Sequence, residues 1–90
     1  MLKIKVTSKF KKDLKLAIKR GYDISNMNKV VDTLVAEKVL DEQYHDHSLS
    51  GNYEGFRECH IEPDWLLVYK IDKNELILYL FRTGTHSDLF

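Results

Sequence analysis

An α+β fold of β-α-α-β-β-β order, with two N-terminal helices packed on a small antiparallel sheet, follows from three features of this 90-residue chain. An alternating stretch opens the sequence, two stretches of helical apolar spacing follow, and three β-branched and aromatic runs joined by short turns come last. A hydrophobic content of 43% over this length suits one domain spanning residues 1–90, with one modest core.

"LKIKV" alternates Leu2, Ile4 and Val6 with Lys3 and Lys5, the period-two pattern of a strand with one wet face. Thr7 or Ser8 can cap the next segment, in which Phe10, Leu14, Ala17 and Ile18 form one helical stripe and Gly21 supplies a stop. Ser25 or Asn26 can cap a second helix carrying Met27, Val30, Val31, Leu34 and Val35. Beyond about Ala36 the pattern lapses into "EKVLDEQYHDHSLSGNYEG", which reads as a long loop, and loops of that length are usually functional. "FRECHI", "WLLVYKI" and "ELILYLFRT" read as strands. Pro63 in "EPDW" and the "DKN" between the last two runs supply turns, so the three strands make an antiparallel meander.

Composition narrows the function classes. The longest apolar run, Leu76–Phe81, is far short of the roughly 18 residues a membrane span needs, and "MLKIKV" lacks a signal-peptide core, so a cytoplasmic protein without membrane association is expected. A lone cysteine, Cys59, cannot form an internal disulfide. The formal net charge is zero, yet residues 1–40 hold ten Lys/Arg against four Asp/Glu and the remainder reverses that balance. Such asymmetry marks either a polyanion-binding face or a solvated helix, and composition favours the solvated helix.

In the meander, the end of the first strand, the start of the second and the end of the third share one edge. His60, Asp64, Trp65 and Arg82 therefore meet there, with the following segment bringing His86 and Phe90. A pair of imidazoles can take up and give up protons at neutral pH, and a guanidinium can hold phosphate with two parallel hydrogen bonds. Those are the parts needed to cleave RNA through its own 2′-hydroxyl: a base for the 2′-OH, an acid for the leaving 5′-oxygen and a cation for the phosphorane. Trp65 and Phe90 are candidates to stack an unpaired base, although Trp65 also begins an apolar strand. His45 and His47 form an H-x-H pair, but no Cys or carboxylate spacing supports a metal site, and none is expected. Cys59 and His60 are successive strand residues that point to opposite faces, which argues against a Cys-His nucleophile.

"DHSLSGNYEGFRECHIEPDWLLVYKI" and "RTGTHSDLF" carry D-H-x-L-x-G, R-x-x-H-x-x-P-D-x-L-L-x-Y and R-x-G-T-H-x-x-L-F. In these motifs the chain resembles the YafQ branch of the RelE/ParE toxin superfamily. That resemblance implies the toxin of a type II toxin-antitoxin pair, an endoribonuclease that cleaves mRNA without metal or cofactor, typically on the translating ribosome. It also implies a cognate antitoxin as partner, with operator DNA contacted only through the antitoxin complex. The site residues it implies are His47 in the loop, His60 and Asp64 around Pro63, Arg82 as the phosphate cation, His86 as general acid and Phe90 as base-positioning group. Under this reading the basic first helix, Lys9 and Lys12 included, gains ribosomal RNA as its target. The alternative within the same fold is a ParE-like toxin that binds a protein such as DNA gyrase, or an inactive relative that only binds its antitoxin; the histidine set with Asp64 and Arg82 favours the enzyme.

Overall fold

Thr7 sets the first corner: it ends β1 (Lys3–Val6) and caps α1 (Ser8–Lys19), its hydroxyl accepting a hydrogen bond from the Phe10 amide at 3.0 Å. The computed structural model describes residues 1–90, and α1 is followed by α2 (Ile24–Val35), β2 (His47–Ser48), β3 (Arg57–Glu62), β4 (Trp65–Asp72), β5 (Ile77–Gly84) and a single-turn α3 (His86–Leu89). Gly21 closes α1 with φ +80°, a left-handed conformation cheap only for glycine, while the Tyr22 amide bonds back to the Ala17 carbonyl at 3.0 Å. The cap of α2 is neither Ser25 nor Asn26 but Asp23, whose carboxylate accepts from the Ser25 amide at 3.0 Å. Helix α2 thus begins earlier than its apolar stripe suggests, since Ile24 is itself helical.

Five strands form one mixed sheet in the order β1-β5-β4-β3-β2. The meander β3-β4-β5 is antiparallel, as its short turns require, with Pro63 and Asp64 as the first turn and Asp72 accepting from the Asn74 and Glu75 amides in the second. Strand β1 adds in parallel to β5, Lys3 opposite Ile77 and Val6 opposite Leu80, so the sheet is not purely antiparallel. A parallel neighbour needs a long crossover, and the whole intervening chain supplies it.

Two faces of this sheet have different fates. Cys59, Ile61, Trp65, Leu67, Tyr69, Leu78 and Leu80 pack against Phe10, Ala17, Met27, Val30, Val31 and Leu34 of the helices, making the main core. On the opposite face Leu66, Val68 and Leu89 are buried with Phe56, Phe81 and Leu49 against them, so α3 covers part of that side. Truncating a fully buried member such as Leu78 costs about 2–5 kcal/mol.

Some expected core positions are wet. Ile4 and Val6 are 48% and 39% exposed, because β1 lies at the edge and α1 packs over β5 instead; only Leu2 of that stretch is buried. Ile18 is 57% exposed for a geometric reason: the buried stripe is Phe10, Asp13, Leu14 and Ala17, and Ile18 lies off its flank. The segment read as a loop holds more order than its composition suggests, with a 3₁₀ turn at Glu42–Tyr44, the two residues of β2 paired to β3, and a second 3₁₀ turn at Gly51–Tyr53.

Candidate active site

Directly opposed residues of neighbouring strands share a face, so the register itself lays out the site. His47 opposes Glu58, Glu58 opposes Val68, and Val68 opposes Arg82: one row crosses four strands on the face away from the two long helices. The adjacent row runs His60, Leu66, Gly84. A shift in register between Val68 and Tyr69 places a bulge at Phe81, which turns Arg82 onto this row. His60 thus lies about two strand spacings, roughly 10 Å, from the chain that leads into His86.

Arg82 is held from the first helix. Its Nε and one terminal nitrogen donate to the two Asp13 carboxylate oxygens at 2.7 and 3.1 Å, and the Thr83 amide donates to the same carboxylate at 3.1 Å. That amide is available because β1 pairs with β5 no further than Leu80, leaving the edge of β5 open beyond it. Of the five N–H donors of a guanidinium, two are spent on Asp13 and three remain for a phosphate. Asp13 raises the pKa of Arg82 above its ordinary value by hydrogen bonding first and by charge second, so the cation is permanent. Asp13 escapes a reading by apolar periodicity, yet it is the only carboxylate in a lysine-rich helix and sits three residues after Phe10, on the stripe that faces the sheet.

His86 begins α3, exposed, with its ring 5.2 Å from that of Phe90. Phe90 is 51% exposed and stands edge-on to Tyr53 at 5.3 Å. The tail is anchored: Thr85 and Asp88 form a capping box, Leu89 is buried, and Arg20 donates to Asp88 at 2.6 and 3.2 Å. Gly84 makes the fold-back possible, since a Cβ there would lie 2.9 Å from Asp88 Oδ2. The hydrogen bonds from Arg20, then that from the Thr85 amide, hold the Asp88 carboxyl well below the usual carboxylate range. A lowered folded pKa means that this clasp stabilises the protein above the ordinary carboxylate pKa near 3.9 and loses that contribution as the pH falls below it. The melting-temperature difference between wild type and Asp88→Asn is therefore expected to be constant from about pH 7 to 5 and to shrink below about pH 4; a difference that does not change with pH would show that the clasp is not electrostatic.

On the other flank, His47 and His60 are each oriented by a carbonyl. His47 Nδ1 donates to the His45 oxygen at 2.7 Å, which turns Nε2 toward the buried Glu58 carboxylate at 3.4 Å. His60 Nδ1 donates to the Pro63 oxygen at 3.1 Å, leaving Nε2 as a free acceptor. Asp46, between the two loop histidines, receives Arg57 at 3.3 Å through two nitrogens and the Tyr69 hydroxyl at 2.5 Å, a junction that fixes β2 and with it His47. Glu58 also escaped the sequence reading, although strand alternation places it beside His60 on one face.

Two expected members stand elsewhere. Trp65 is 2% exposed, packs on Tyr22 at 4.9 Å and gives its indole N–H to Thr83 at 2.8 Å, so it has no face to offer a base and belongs to the core. Asp64 is exposed on the turn beside Tyr22 and Trp65, and the group that orients His60 is the Pro63 carbonyl. Lys9 and Lys12 are exposed on α1, Lys9 one turn before Asp13 and Lys12 next to it, so the basic helix leads toward Arg82. Of the ten carboxylates in residues 41–90, three have a basic partner, in Arg20–Asp88, Arg57–Asp46 and His47–Glu58. Burial, then the nearby Asp46 charge, pushes the Cys59 thiol up to about 12, which leaves it inert as a nucleophile.

The mixed five-stranded sheet with two long helices on one face is the architecture of solved bacterial toxins of the RelE-like class. A metal-bound toxin from Helicobacter pylori superposes with a TM-score of 0.95 at 50% identity over 100% of both chains. The toxin of the E. coli DinJ-YafQ complex superposes with a TM-score of 0.91 at 37% identity, over 100% of this chain and 99% of that one. The chain belongs to the YafQ family: the family model described as "Bacterial toxin of type II toxin-antitoxin system, YafQ" matches residues 2–90. The mRNA interferase toxin YafQ of Escherichia coli (strain K12) is 39% identical over 88 residues, 97% of this chain and 94% of that protein. No helix is long and apolar enough to cross a membrane.

Proposed function

We propose that the chain is an endoribonuclease, the mRNA interferase toxin of a type II toxin-antitoxin pair, which cuts mRNA on the translating ribosome in the cytoplasm by attack of the ribose 2′-hydroxyl on the neighbouring phosphate. The observation that carries this reading is the pair of imidazoles flanking the Leu66 floor, His60 with a free Nε2 and His86 exposed beside Phe90, with an anchored guanidinium next to them. His60 Nε2 accepts the 2′-OH proton, and His47 with Glu58 offers a second acceptor on the same face. His86 protonates the departing 5′-oxygen, and the free N–H groups of Arg82 stabilise the charge on the phosphorane. Phe90 supplies a stacking face, and Lys9 and Lys12 approach ribosomal RNA. Its partner in the resting cell is an antitoxin, as DinJ is for the E. coli relative.

The test is end chemistry. Incubated with ribosome-bound mRNA in excess chelator, the purified chain is expected to leave 2′,3′-cyclic phosphate and 5′-hydroxyl ends. Ends bearing a 5′-phosphate would mean that water, not the 2′-OH, attacks. No cleavage at all, alongside growth arrest on expression, would move the reading to a protein-binding toxin.

A further inference from the structure

We infer that the cleft beyond His60, between the 3₁₀ turn Glu42–Tyr44 and the Pro63 turn, receives one unstacked nucleobase of the substrate, that of the nucleotide on the 5′ side of the cut. The cleft has a volume of about 540 Å³ and is lined by Asn26, Gln43, Tyr44, His45, His60 and Glu62 among others. Its chemistry suits a base. The amides of Asn26 and Gln43 each carry both donor and acceptor atoms and the Glu62 carboxylate accepts, and carboxamides and carboxylates are the groups that read hydrogen-bonding edges of bases. Asn26 Nδ2 already donates to Glu62 at 3.3 Å, so this wall is prearranged. Tyr44 and His45 supply π faces, and single-stranded RNA is commonly gripped by stacking on such groups. His45 adopts a left-handed backbone, φ +47°, and its ring meets that of His60 edge-on at 5.5 Å. One residue therefore joins both parts of the site: its carbonyl orients His47 and its ring abuts His60.

The assignment to a particular nucleotide rests on the proposed ribonuclease reading. The hydroxyl that His60 deprotonates belongs to the ribose on the 5′ side of the scissile phosphate, and Arg82 and His86 lie on the opposite side of His60 from the cleft. The base on that ribose is the one placed to enter it.

Two measurements test this. Cleavage ends are mapped on a randomised mRNA pool translated in vitro for wild type, Gln43→Ala and His45→Asn; asparagine tolerates the left-handed backbone and so retains the carbonyl that orients His47. Both variants are expected to lose the preference at the nucleotide immediately upstream of the cut, and His45→Asn to raise KM about tenfold, the size of losing one stacked base. Separately, each nucleoside 3′-monophosphate is titrated into the isotope-labelled wild type, with shifts expected at the side-chain amides of Asn26 and Gln43 and at the His45 ring. A wild type that cuts RNA with an upstream preference unchanged in both variants, or without any upstream preference, overturns the inference, as do nucleotide-induced shifts confined to the lysines of α1. A wild type that cuts no RNA while nucleotides still shift the cleft would instead sink the ribonuclease reading and leave the cleft as a nucleotide site.

Discussion

His86→Ala is expected to lower the rate of mRNA cleavage by about 10²–10⁴-fold, the range for a lost general acid, while leaving the melting temperature and antitoxin affinity nearly unchanged. The side chain is exposed and its neighbour is an exposed aromatic ring, so its removal opens no cavity. The anchors of the tail, Leu89 and the Asp88–Arg20 pair, are untouched by the change. Because proton donation matters only as the 5′-oxygen departs, the loss should fall on kcat rather than KM. A large drop in melting temperature would recast His86 as a structural cap of α3. An unchanged rate would transfer the acid to another group.

Asp13→Ala is expected to damage both stability and catalysis, although Asp13 touches no substrate. Its carboxylate receives three hydrogen bonds, two from Arg82 and one from the Thr83 amide, and the two ion-pair side chains are 14% and 24% exposed. A pair at that depth lies between the surface and buried cases, so its loss should cost about 2–3 kcal/mol. In a domain of this size that lowers the melting temperature by roughly 10 °C or more. Assayed well below the new melting temperature, kcat should fall about 10–100-fold because Arg82 no longer holds its fixed direction at the phosphate. Asp13→Asn keeps an acceptor for the Thr83 amide and should be milder in stability than in rate. If the rate of the folded Asp13→Ala protein matches wild type, Arg82 does not depend on its anchor and Asp13 is only an element of packing.

The unequal depth of these two residues also explains what could be read without coordinates. His86, Arg82 and His60 were legible because a meander with two-residue and four-residue connections leaves little freedom in which strand ends meet, and because the motif spacings agree along the last half of the chain. Asp13 was not, since it occupies a position whose helical periodicity predicts an apolar side chain and its partner lies 69 positions away; Glu58 shares the polar face of β3 with His60, but its burial and its His47 partner come from β2, which no local pattern announces. Trp65 admits two roles by its position at the start of an apolar strand, and only its burial and its bond to Thr83 decide for the core. The short strand His47–Ser48 carries no β-pattern of its own; it is imposed by β3 and by the Asp46 junction, which no local signal reports. The parallel contact of β1 with β5 was equally hidden, because a four-residue edge strand reveals its direction only through its partner.

That parallel contact sets a clock on toxicity. The Thr7 hydroxyl donates to the Phe81 carbonyl at 2.7 Å across 74 positions, and β5 is gripped by β1 on one side and by β4 on the other. Closing so long a loop is entropically slow and gains nothing until the last strand is in place. A nascent chain can form its helices and its first hairpin early, yet it has nowhere to seat Arg82 until Ile77–Gly84 has been synthesised and inserted between β1 and β4. An unfinished copy of this protein therefore lacks the seated Arg82 that the proposed cleavage requires.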